Sequence, residues 1–119
     1  MEKKDIKFFV KRIFTKDLSL ESPEAPAIFD NIKSTPKIAF NLNTTIATID
    51  DTTYDITLDI NVKAETENNV LYVVEVKQSG LFVIDGVDDE LKDVFLNIRC
   101  PEVIFPYARE TISSLVQKA

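Results

Sequence analysis

The chain is 119 residues long with a formal charge of −6; 45% of its residues are apolar and 29% charged, a balance that suits a single globular domain. It contains no histidine, one cysteine (Cys100) and two glycines. That excludes His/Cys metal centres, Ser–His or Cys–His nucleophile pairs, an intrachain disulfide framework and a glycine-rich phosphate loop.

The charge is uneven. Residues 1–16 carry six Lys/Arg against two Asp/Glu, whereas residues 17–99 carry six against sixteen. The basic start is interleaved with a strand pattern and reads as a solvated strand face. An acidic chain is repelled by phosphate backbones, so no nucleic-acid partner is expected. The apolar run Phe8-Phe9-Val10 is far too short for a signal-peptide core, and no stretch is long enough to cross a bilayer. With one thiol, the expectation is a cytoplasmic protein with no direct membrane insertion.

In chain order, Ile6 to Glu21 reads as a first strand whose parity slips. Ile6, Phe8 and Val10 share one face and Ile13 the other, which a β-bulge near Val10–Ile13 or burial on both sides would explain. Leu18 and Leu20 then face one way, and Asp17, Ser19 and Glu21 the other. Residues 22–36 hold three prolines, which rule out a regular strand or long helix, yet they include Ile28, Phe29 and Ile32. A long connection with apolar anchors points to function or to packing over another element.

A second strand is marked by Ile38, Phe40, Leu42 and Ile46. The strictest alternation follows: Tyr54, Ile56, Leu58, Ile60, Val62 and Ala64 are apolar, with polar residues between them. Asp50–Thr53 separates these two strands as a hairpin connection, and Glu67-Asn68-Asn69 turns the chain into a fourth strand from Val70 to about Phe82. Asp88-Asp89-Glu90 precedes a short helix over 91–99, with carboxylates at its positive end. A better helix is expected to start at Pro106, a favoured first-turn residue, with Phe105, Ala108, Ile112, Leu115 and Val116 on one stripe. The expected fold is α+β: a four-stranded antiparallel, Greek-key-like sheet with a long first crossover, then helix. Cys100, beside Pro101, is expected to be structural.

Three stretches resemble one family. Arg12-Ile-Phe-Thr-Lys-Asp-Leu-Ser-Leu-Glu-Ser-Pro-Glu-Ala-Pro26 is similar to the first strand and proline turn of the SecB export chaperones. Glu75-Val-Lys-Gln-Ser-Gly-Leu-Phe82 is similar to their fourth strand, and Cys100-Pro-Glu-Val-Ile-Phe-Pro-Tyr-Ala-Arg-Glu-Thr-Ile-Ser-Ser-Leu-Val116 to the start of their main helix. The resemblance spans about Phe8 to Val116 in order and spacing.

It implies an ATP-independent chaperone, not an enzyme and without cofactor or metal, that binds non-native precursor polypeptides and delivers them to the SecA motor ATPase. It also implies a homotetramer, a dimer of dimers. The family's SecA-contacting positions match Asp17, Glu21, Val73 and Glu75; shared parity would put the three carboxylates on one wet face, with Asp55 and Asp59 adding to its field. Ile28, Phe29, Ile32, Ile38, Phe40 and Leu42 match the client groove. Tyr72, Val74, Val76 and the stripe Ala108, Ile112 and Leu115 would form core and inter-dimer contacts. The chain ends before the second helix and tail that the family carries, so one SecB-like domain lacking that segment is expected. Two alternatives stay open: a SecB-like chaperone dedicated to one partner, as in toxin–antitoxin systems, and a small-ligand-binding α+β domain.

Overall fold

The computed structural model describes residues 5–23, 35–67 and 69–118. Four strands, β1 (Lys7–Glu21), β2 (Lys37–Thr48), β3 (Thr53–Glu65) and β4 (Val70–Asp85), form one antiparallel sheet in the order β1-β4-β3-β2. β2, β3 and β4 follow one another as hairpins. The connection from β1 to β2 joins the two opposite edges, which makes the topology a Greek key.

Alternation in β3 becomes burial. Ile56, Leu58 and Ile60 are almost fully enclosed, while Asp55, Asp59 and Asn61 between them are only partly covered. Opposed residues share a face, so the register places Tyr54, Ile56, Ile60 and Val62 beside Phe82, Gly80, Val76 and Val74 on the inner face of the sheet. Asp50 fixes the β2–β3 turn by accepting from the amides of Thr52 and Thr53, both at 2.9 Å. Those hydrogen bonds also hold its carboxyl below the usual value.

β1 carries two register shifts, one between Val10 and Arg12 and one between Thr15 and Asp17. The first is the bulge expected from the slip at Ile13. The second, at Lys16, restores parity, so Phe8, Val10, Ile13, Thr15, Leu18 and Leu20 all oppose inner-face residues of β4. A single bulge would have turned Leu18 and Leu20 outward.

After the positive-φ turn at Gly86, Asp88 caps α1 (Asp89–Val94) by accepting from the Leu91 amide at 2.8 Å. A π-helical turn (Phe95–Arg99) leads directly into α2 (Cys100–Lys118). The expectation that the main helix begins at Pro106 is therefore corrected: α2 begins at Cys100, and Pro106 lies inside it. Packing overrides the proline. Cys100, Ile104 and Ala108 recur every four residues and are fully buried against β3 and β4. Burying Ile104 alone contributes about 1.5–3 kcal/mol.

Phe8 ties three elements together, stacking on Phe95 at 4.6 Å and lying 5.9 Å from the Phe82 ring. Gln78 is a buried polar group on the inner face. Its Oε1 accepts from Thr15 at 3.0 Å, and Thr111 Oγ1, whose single proton is shared with the Tyr107 carbonyl, lies 3.3 Å away, so β1 and α2 meet at this residue of β4.

Burial pushes the Cys100 thiol up to about 12. Two outcomes are expected. At pH 8 a thiol reagent should label the native chain at least about a hundredfold more slowly than the unfolded chain. The unfolded thiol ionises near 9.0 and the native one near 12, so its contribution to stability is complete below pH 9 and is lost as pH rises toward 12. Denaturant titration of wild type against Cys100→Ala across that range isolates it.

Candidate functional site

The two faces of the sheet differ in chemistry. The outer face carries the alternate residues of each strand. Across it, Asp17 of β1 opposes Lys77, which opposes Asp59 of β3, which opposes Asn43 of β2. The next row is Ser19, Glu75, Asn61 and Asn41, and the next is Glu21, Val73, Lys63 and Ala39. Asp17, Glu21, Val73 and Glu75 thus share one face of two neighbouring strands. The carboxylate-bearing Asp17 and Glu21 are exposed, Val73 and Glu75 half-buried.

Lysines interleaved with these carboxylates shape the field. The bulge at Lys16 frees it from the ladder, and its Nζ sits 2.6 Å from Asp55 Oδ2 and 3.1 Å from Thr57 Oγ1. Thr57 in turn shares a hydrogen bond of 2.7 Å with the buried Ser79 hydroxyl. Asp55 is therefore offset by its own cation and does not add to an open negative field as its parity suggested. Asp55 Oδ1 and Asp59 Oδ1 are both enclosed and accept no hydrogen bond. The negative character that remains open lies at the Asp17, Glu21 and Glu75 end. The sequence reading missed Lys16, Lys63 and Lys77; the flip in parity between Ile13 and Leu18 was the available signal for Lys16.

The inner face is only partly covered. α2 lies over β3 and β4 and reaches β1, which leaves most of β2 uncovered by the described residues. Its inner-face residues Ile38 (65%), Phe40 (55%), Leu42 (41%) and Ile46 (37%) remain exposed. Where β2 meets the helix, Leu42, Leu58, Ile98, Phe105, Pro101 and Pro106 line an open, mainly apolar groove of ≈ 420 Å³, with Asn97 and Glu102 at its wall. Of the predicted groove residues, Ile38, Phe40 and Leu42 occupy this strip; Ile28, Phe29 and Ile32 lie outside the described residues. The helical wall went unpredicted, although Pro101 and Pro106 mark it.

The expected interface stripe divides. Ala108 is fully enclosed in the chain's own core and has no surface left for a partner, while Ile112 and Leu115 are half-buried against that core. Val74 and Val76 are core residues and Tyr72 packs beside them. Among the described residues no cluster of three metal-ligating side chains occurs. No helix among them is long and apolar enough to cross a membrane.

Removing the Lys16 ammonium should leave the Asp55 carboxylate, whose side chain is 14% exposed, without its charged partner. Lys16→Gln is expected to lose roughly 1–3 kcal/mol in urea unfolding. The Lys16→Ala/Asp55→Ala double variant should lose less than the two single variants together.

Comparison with known proteins places the chain in a family. The family model described as "Preprotein translocase subunit SecB" matches residues 1–119. The chain is 43% identical over 110 residues to the protein-export protein SecB of Magnetococcus marinus, covering 92% of this chain and 69% of that one. It is 38% identical over 112 residues to that of Methylobacillus flagellatus, covering 94% and 71%. In fold it is similar to a SecB-like chaperone of Mycobacterium tuberculosis, solved in complex with a peptide from the HigA1 antitoxin. That match has a TM-score of 0.66 at 13% identity and covers 93% of this chain and 82% of that one. The chain belongs to the SecB family of protein-export chaperones.

Proposed function

We propose that the bare strip of β2 and its groove hold non-native precursor segments while the outer face docks on the SecA motor. The observation that carries this reading is the exposure of Ile38, Phe40 and Leu42 in a row beside a groove of ≈ 420 Å³. A contiguous apolar strip of this kind on a folded chain is a contact surface for other polypeptides, and it selects apolar character without a shaped pocket. The family is one of chaperones rather than enzymes, and holding of this kind needs no nucleotide or metal.

The outer face supports the second half of the reading. Asp17, Glu21 and Glu75 sit on adjacent strands of a preformed sheet, so their field steers a basic segment and meets it without reorganisation. The carboxylates favour export over service to one dedicated partner, since such a chaperone has no use for a SecA-docking face. The setting proposed is the cytoplasm, and the assembly a dimer of dimers.

Two measurements test the halves separately. Calorimetry with the SecA C-terminal zinc-binding peptide should show binding that weakens at least about tenfold in Asp17→Lys or Glu75→Lys and falls as salt rises. Unchanged affinity in both variants would remove the docking face. Light scattering of an aggregating unfolded client should be suppressed by the wild-type chain and much less by Phe40→Asp or Leu42→Asp. Equal suppression by those variants would remove the groove.

A further inference from the structure

The groove wall contains two prolines inside a helix, and each removes a main-chain donor. An α-helical carbonyl accepts from the amide four residues later, so the carbonyls of Asn97 and Glu102 would look to positions 101 and 106. Both are proline, with no N–H, and a proline ring lies against the carbonyl four residues before it. Asn97, Pro101, Glu102 and Pro106 all line the groove.

The π turn sharpens the count. The Cys100 amide donates to the Phe95 carbonyl, and Pro101 donates nothing. From Cys100 onward the α-helical ladder takes the Val103 amide to Arg99. For the carbonyls of Leu96, Asn97 and Ile98 only the Glu102 amide is left. At least two of the three therefore have no main-chain donor. One of those must be Asn97 or Ile98, both in the groove wall.

Elsewhere on this helix side chains cover carbonyls: Asn97 Nδ2 donates to Asp93 at 2.9 Å and Thr111 Oγ1 to Tyr107 at 3.0 Å. Among the described residues no side-chain donor does so for Asn97, Ile98 or Glu102. Pro106 is also exposed, so its ring fills no place in the core.

We infer that Pro101 and Pro106 hold main-chain carbonyls open in the groove as acceptors for the backbone amides of an extended client segment. This deepens the client-holding reading and rests on it. An apolar strip alone grips side chains, and an unfolded chain laid in it would bury its own amides unpaired. Acceptors supplied by the wall satisfy those amides whatever the client's sequence.

The test is a backbone scan. The probe is a short fluorescent peptide of alternating leucine and serine with a lysine at each end, made as a set with one N-methylated amide in each member. Binding is measured by fluorescence anisotropy to the wild-type chain and to the Pro101→Ala/Pro106→Ala variant, whose restored amides supply two of the missing donors, one among residues 96–98 and one for Glu102. At least one methyl position should weaken wild-type binding about threefold to tenfold. The same methyl should change binding to the variant less than about twofold. Circular dichroism confirms that the variant is folded, and the methyl-dependent difference cancels any general change in the groove. Wild-type affinity that is the same for every peptide, or an equal loss in the variant, overturns the inference. Failure of the parent peptide to bind wild type overturns the client-holding reading itself.

Discussion

A helix about 10–12 Å across cannot cover four strands spaced about 4.8 Å apart. The rest of the architecture follows from that mismatch. α2 is committed to β3 and β4 by Cys100, Ile104 and Ala108, which are fully enclosed there. β1 gains partial cover through Phe8, Ile13 and Leu20. β2 receives none. Its apolar residues keep the parity of a core strand, yet they face open space. The same sequence pattern that builds a core in β3 builds a contact surface in β2, and only the width of the helix separates the two outcomes.

The sheet resolves a second tension through its outer face. Its centre is sealed by the Thr57–Ser79 hydroxyl pair and the Lys16 side chain reaching over Asp55, which pair most of the covered polar groups there but leave one oxygen each of Asp55 and Asp59 without a partner. Toward Asp17 and Glu21 that cover ends and carboxylates stand in the open, with Glu75 half-buried beside them. Inner and outer faces thus present opposite chemistry from the same strands, one apolar and one acidic. The two partners proposed above would therefore meet separate faces of one protomer.

Much of this was legible from residue order. The alternation over 54–64 fixes which side of β3 is buried, and one parity slip at Ile13 locates the first bulge. The second bulge was also written in the sequence, because Ile13 and Leu18 cannot share a face on an unbroken strand. What residue order does not carry is competition between elements. Pro106 reads as a helix start because local preference favours proline there. The four-residue recurrence of Cys100, Ile104 and Ala108 outweighs it through burial that only tertiary contact supplies. Asp55 and Asp59 share the parity of an open acidic face, but Lys16 reaches Asp55 across β4, a relationship set by register rather than by sequence distance. The exposure of β2 came from the family resemblance and not from its own pattern, which matches that of a buried strand.

The Greek-key order also constrains how the chain can assemble. Each hairpin closes near its turn, as where Glu65 pairs with Val70, so β2, β3 and β4 can zip from local contacts. β1 has no such neighbour. Its strand partner is β4, and Lys7 must find Asp85 across about two-thirds of the chain's length. During synthesis β1 emerges first and has to wait, unpaired and bearing Phe8, Phe9, Val10 and Ile13, until the last strand is made. For that interval the nascent protein is itself an extended apolar segment of the kind its finished β2 strip is proposed to bind.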